Sequence, residues 1–199
     1  MKKILLFTVM CVLGLFGNLK AQETVTIDGT VGGFETSTDK VVPVYNNYEY
    51  AITQFYYTVD EIAKANGTIE SIAFKTASGQ YPYTRTLDIY MVNTDEYYFD
   101  LNDRTGKGMK QVSASNLVFS GEVVFTQDSW VKIDLANDFE YTGGNLLLCV
   151  NDKTGDYISG ADNRGAFEVY SSTYQVPYQG ETGTARRALY QRNSKSAYD

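Results

Sequence analysis

Asn145-Leu146-Leu147-Leu148-Cys149-Val150 is the stretch on which the fold turns. Its apolar side chains follow one another without a polar break. Successive side chains of a strand point to opposite faces, so an apolar run on both parities predicts a central strand covered on both sides. Cys149 then reads as a small buried hydrophobe. Outward from this run the pattern changes. Thr86-Leu87-Asp88-Ile89-Tyr90-Met91 places Leu87, Ile89 and Met91 on one parity. Val131, Ile133 and Leu135 repeat the alternation, with Lys132 and Asp134 pointing away. Period two over these lengths predicts strands with one buried face. Further strands are expected near Thr24–Val31, Tyr50–Tyr57, Ile69–Lys75, Leu117–Phe125 and Ala166–Ser171.

One short helical corner interrupts them. Thr58-Val59-Asp60-Glu61 has the spacing of a capping box, Ile62, Ala63 and Ala65 follow, and Asn66-Gly67 supplies a stop. The chain holds 17 Tyr and 10 Phe but only 3 Pro and 1 Trp, and its Gly, Asn and Asp fall between the aromatic and Val/Thr-rich runs, as turns between strands require. With no βαβ rhythm and no internal repeat, the expected fold is an all-β, antiparallel, jelly-roll-like sandwich.

The N-terminus reads differently. Lys2 and Lys3 precede an apolar run from Ile4 to Phe16, and a small-residue exit follows at Gly17 to Gln22. The run is too short to span a bilayer and has the order of a secretory signal peptide. Residues 1–22 are thus expected to be removed and 23–199 to form the module, outside the cell or on its surface. Cleavage removes Lys2, Lys3 and Lys20, taking 17 basic residues to 14 against 24 acidic, a net charge of −10. Nucleic acid and anionic membrane surfaces are poor partners for such a chain, and the mature chain is not expected to insert into a membrane. Cys149 is left alone, so no intrachain disulfide is expected. The closing run Ser194 to Asp199 shows no strand pattern, so the module is expected to be truncated at its C-terminal end.

Several of these runs resemble a module common in secreted and surface proteins of Bacteroidetes. The resemblance is carried by Tyr57-Thr58-Val59-Asp60-Glu61-Ile62, Gly67-Thr68-Ile69-Glu70-Ser71-Ile72-Ala73-Phe74, the run Thr84 to Thr94, and Leu117-Val118-Phe119-Ser120-Gly121. Trp130-x-x-Ile133-x-Leu135 and Phe139-x-Tyr141-x-Gly143-Gly144-Asn145-Leu146 continue the series. Such modules are similar to the adhesin-type β-sandwiches that accompany proteases in proteins exported by type IX secretion. The resemblance implies an adhesin-like sandwich and no catalytic residue.

Chemistry is sparse. The chain has 0 His, which removes Ser-His and Cys-His pairs and His-based zinc sites. Gly106-Lys107-Gly108 is neither a phosphate loop nor a dinucleotide fingerprint. Asp88 and Asp134 are outward carboxylates, candidates for a glycosidase pair only if they face each other across about 5–9 Å; the alternative is two solvated acids. No cofactor is implied. Asn151-Asp152-Lys153-Thr154-Gly155-Asp156 and Asp162-Asn163 gather hard oxygen donors, so Asp152, Asp156 and Asp162 would be the ligands of a structural Ca²⁺. The same residues are also what turns require.

Aromatic residues offer the candidate binding site. Trp130 shares the outward parity of Lys132 and Asp134: it either forms a stacking platform for a sugar ring or tucks its ring over the sandwich edge. Tyr81 and Tyr83, around Pro82, are expected in a connection between strands, and Tyr174 and Tyr178, around Pro177, in a second turn-rich segment. Tyr in loops suits sugar stacking or protein hot spots, unless it packs on neighbouring strands. The expectation is a non-catalytic extracellular module that binds glycan or protein. The alternatives are an accessory domain of a secreted hydrolase whose catalytic part lies beyond residue 199, and a structural spacer in a surface array.

Overall fold

The computed structural model describes residues 23–27, 35–40, 42–79, 81–99, 108–160, 165–171, 174–178, 181–185 and 188–192, with backbone alone for 35–37 and from 170 onward. The leader 1–22 and the end 193–199 lie outside these residues. In chain order the elements are β1 (Glu35–Asp39), β2 (Ala51–Tyr57), α1 (Val59–Ile62), β3 (Gly67–Lys75), β4 (Tyr83–Thr94), β5 (Leu117–Phe125), β6 (Trp130–Tyr141), β7 (Asn145–Asp152), β8 (Phe167–Ser171), β9 (Tyr174–Tyr178), β10 (Glu181–Ala185) and β11 (Ala188–Arg192). Every described strand pair is antiparallel, and the fold is all-β and sandwich-like.

The larger sheet has the order β11-β2-β7-β4-β5. Opposite it lies the β3–β6 pair, which a bridge between Thr76 and Phe167 extends to β8, itself paired with β1. The space between holds the main core. Leu87, Ile89 and Met91 of β4, with Leu146, Leu148 and Val150 of β7, meet Phe74 of β3 and Val131 and Ile133 of β6 there. The alternation in β4 and β6 is the alternation of faces that the sequence predicts. Deleting any one of these larger side chains costs about 2–5 kcal/mol.

β7 is the middle strand of its sheet, and its two parities enter two different cores. Leu147 and Cys149 point away from the sandwich interior into a second cluster with Ile52, Tyr56 and Tyr90. Phe99, Met109 and Val112, from the connection between β4 and β5, cover this cluster. Gln54 fastens the cover from below, with its amide bonding the Lys110 carbonyl at 2.7 Å and accepting the Lys110 amide at 2.8 Å. The larger sheet is therefore packed on both faces.

Four details depart from the sequence reading. The helix ends at Ala63, whose φ of 53° is left-handed, while Gly67 opens β3. Its entry is as expected: the Glu61 carboxylate accepts the Thr58 backbone N–H at 2.8 Å. Of the strand expected at Thr24–Val31, residues 24–27 are described and are not strand. A strand absent from the expected ones, β11 (Ala188–Arg192), pairs with β2 along the edge of the larger sheet. Finally, Asp88 is not on a wet face. Lys153 at 2.9 Å and the Ser120 hydroxyl at 2.6 Å fold over its carboxylate and bury it.

Candidate functional site

The ends of β3 and β5 and the starts of β4 and β6 meet at one end of the sandwich, because Tyr83 lies opposite Phe125 and Lys75 opposite Trp130. The turn from β5 to β6 is fastened there. Thr76 exchanges backbone and hydroxyl bonds with Ser129, and its hydroxyl donates to the Thr126 carbonyl at 2.5 Å. Asp128 takes a φ of 50° within this turn, and the Lys75 ammonium donates to its carbonyl at 2.9 Å.

Trp130 emerges from this fastened turn. Val131 and Ile133 face the core, so the parity of β6 sends Trp130 outward with Lys132 and Asp134. The residue is 55% exposed. Lys75 lies directly across the β3–β6 ladder, and Ala73 lies opposite Lys132, leaving a low step beside the ring. The result is an exposed aromatic residue at the fastened turn, with Lys75 as its cross-strand neighbour and Lys132 two residues on along its own strand. An indole face takes a ring with apolar C–H groups on one side and polar groups at its edge.

Tyr81 and Tyr83 stand at the same end but face inward. Tyr83 is the first residue of β4 rather than a loop residue. Its ring stacks on Tyr81 at 5.1 Å between centroids and abuts Phe125 at 5.2 Å. The Tyr81 hydroxyl donates to the Ala166 carbonyl at 2.6 Å. Gly165 runs so close beneath both rings that a Cβ there would lie 2.5 Å from Tyr83 and 2.6 Å from Tyr81. Burial pushes the Tyr81 phenol up to about 12, the Tyr83 hydroxyl opposing this and the Asp128 carboxylate adding to it. Burial raises the Tyr83 phenol further. The Tyr83 hydroxyl lies near those of Tyr81 and the Asn46 amide, but its geometry makes a hydrogen bond to neither, and the Asn46 side chain is fully enclosed with both polar atoms unpaired.

Tyr174 and Tyr178 fall on β9, which pairs with β10, rather than in a turn. The chain leaves the Tyr81 end along β8, beside Thr76, and re-enters the larger sheet at Ala188, opposite Phe55. That is the end of β2 remote from Ala51, so the hairpin is not placed to share a site with Tyr81.

The oxygen-rich loop after β7 is organised around an internal cation. Arg85 of β4 and Asp152 of β7 are both almost fully buried, their side chains 3% and 2% exposed, and Arg85 Nε and Nη2 each lie 2.7 Å from Asp152 Oδ2. The other carboxylate oxygen accepts the Thr154 hydroxyl at 2.6 Å and its backbone N–H at 3.0 Å. Burial raises the Asp152 carboxyl above its ordinary range, opposed by Arg85 and Thr154. The guanidinium also donates to the carbonyls of Asp156 and Tyr48, each at 2.9 Å. Asp156 turns its carboxylate to the Tyr157 N–H at 2.7 Å. Asp152 and Asp156 therefore do not converge as ligands, and among the described residues no group of three or more metal-ligating side chains assembles. Asp162 lies outside the described residues.

The Asp88–Asp134 pair is ruled out as a glycosidase dyad by topology. β4 and β6 belong to opposite sheets, and each carboxylate points away from the shared core. Sheets pack about 10 Å apart, so the two groups are separated by more than either hydrolytic geometry allows. The sequence identifies Trp130 through its parity alone. It misses Lys75 and Ala73, because only the β3–β6 register brings them beside the indole. No family model, no curated protein and no solved structure matches this chain.

Proposed function

We propose that the protein is a non-catalytic, extracellular binding module, of the adhesin-like kind that its strand sequences resemble, and that it recognises glycan through the Trp130 face. One observation carries this reading: the only Trp of the chain is held more than half exposed on a fastened turn, although burial would stabilise it. Apolar surface removed from water is worth about 25 cal/mol per Å², so a ligand that covers this aromatic face gains that stabilisation, and the wet ring is available to give it. A fixed platform also limits the ordering cost of association. The signal-like leader and the acidic mature charge fit a partner outside the cell.

The indole itself reports the test. Titration of the protein with glycans of defined sugar composition should shift its fluorescence saturably, since no second Trp contributes. Trp130→Ala should weaken retention on the same glycan by about tenfold or more, the scale of a central aromatic contact. Its Tm should change little, because a side chain outside the core contributes about 0.5 kcal/mol or less. Retention by the Ala variant equal to that of the parent would place the binding surface elsewhere.

A further inference from the structure

The charges around Trp130 carry the proposed function one step further, to the class of sugar, and this step rests on that function. Lys75 is the cross-strand neighbour of Trp130, and Lys132 follows it by two residues on the same outward face. The Lys132 ammonium lies 2.5 Å from Asp134 and is locally neutralised. Lys75 is not. Its ammonium bonds the Asp128 carbonyl, and it makes no ion pair among the described residues. The Asp128 carboxylate, whose charge acts on the Tyr81 phenol, forms no ion pair with Lys75 among the described residues. The outer face beside the indole thus holds one surplus positive charge in a chain whose net charge is −7.

We propose that the Trp130 face selects a uronic acid: a pyranose ring stacked on the indole with its exocyclic carboxylate on the Lys75 ammonium. The ring supplies the C–H face that an indole prefers, and the carboxylate makes a charge-assisted hydrogen bond at the rim. Ala73 provides the step that lets the ring sit low between the two lysines. A densely sulfated chain fits less well. Laid along β6 it would meet Asp134, Asp138 and Glu140, all exposed on the same strand, and like charges repel it. A single carboxylate at the Trp130 end avoids them.

The intact protein can be titrated, with Trp fluorescence as readout, against oligogalacturonate, a neutral galacto-oligosaccharide of equal length and dextran sulfate. Oligogalacturonate should bind about fivefold or more tighter than the neutral chain, and the gap should narrow in about 0.5 M salt, where the Debye length falls to a few ångström. Lys75→Gln should remove that gap, weakening the acidic chain by about fivefold or more relative to the neutral one, and a gap that survives the substitution would overturn the assignment. Equal binding of neutral and acidic chains would overturn the uronate assignment while leaving the platform in place. Tighter binding of dextran sulfate than of oligogalacturonate would also overturn it, pointing to unspecific anion attraction. No fluorescence response to any of the three would count against both the uronate assignment and the glycan platform.

Discussion

The Tyr83 ring and the Tyr83 hydroxyl pull in opposite energetic directions. The ring joins Tyr81, Phe125 and Gly165 in the main core, whereas the hydroxyl is buried without a hydrogen bond. Tyr83→Phe keeps the packing and removes an unpaired polar atom, so it should be neutral or stabilising by up to about 1–3 kcal/mol in urea unfolding. Tyr83→Ala should cost about 3–5 kcal/mol. A clear loss of stability in the Phe variant would show that the hydroxyl has a partner. Arg85 and Asp152 behave as a unit. Asp152→Ala strands a buried guanidinium and should cost about 3–5 kcal/mol, while a paired apolar replacement such as Arg85→Met with Asp152→Leu should lose much less. Additive losses in that double-mutant cycle would mean that the two side chains do not stabilise each other. At this scale the sequence was readable where one strand's parity decides the outcome, as for Trp130. It was silent where the partner comes from elsewhere. Nothing near Asp152 in the chain announces Arg85, so its loop read only as a set of oxygen donors that either a Ca²⁺ or a turn could use.

The β4–β5 connection is an element in its own right, a cover over the second cluster. Phe99 is wholly buried in it, its ring tilted against Tyr56 at 4.5 Å between ring centroids. Phe99→Ala should lower stability by about 3–5 kcal/mol, and should increase dye binding to the uncovered sheet face. Glu96 ties the cover down by accepting the Tyr56 hydroxyl at 2.7 Å and pairing with Lys110 at 2.8 Å. Its partial burial alone would raise its pKa, but the bonds from Lys110 and Tyr56 outweigh this and lower it below the ordinary 4.5. A carboxyl lowered in the folded state contributes stability that is present above pH 4.5 and lost as pH falls through the lowered value. Glu96→Gln should remove that part of the acid sensitivity, and an unchanged acid-unfolding profile would count against the tie. β7 was legible in advance because a run apolar on both parities has one physical meaning. The cover was not: Phe99, Met109 and Val112 lie outside its regular elements and follow no period. β10, Glu181 to Ala185, likewise carries no apolar alternation to announce it, and in β9 the Tyr174, Val176, Tyr178 alternation is masked by Pro177, which reads as a turn residue.

For the molecule as a whole, the phenols set the alkaline limit. Tyr56, Tyr81 and Tyr83 are all raised by burial, Tyr81 to about 12. The folded state therefore holds protons that the unfolded chain releases near pH 10, and stability falls as pH rises from there through about 12. Absorbance titration should show a late-ionising class of tyrosines that disappears in denaturant. Titration of every tyrosine near pH 10 in the folded protein would contradict their packing. The middle strand of the larger sheet has a further consequence, for time rather than energy. Cys149 is 0% exposed, walled by its neighbours in the sheet and by the cover. In a chain beginning at Glu23 it is the sole thiol. An alkylating reagent can reach it only when the cover lifts or the sheet opens, so at high reagent concentration the labelling rate equals that opening rate and becomes independent of reagent. The sulfur buried to fill a gap thus serves as a clock for how long the cover and the sheet stay closed.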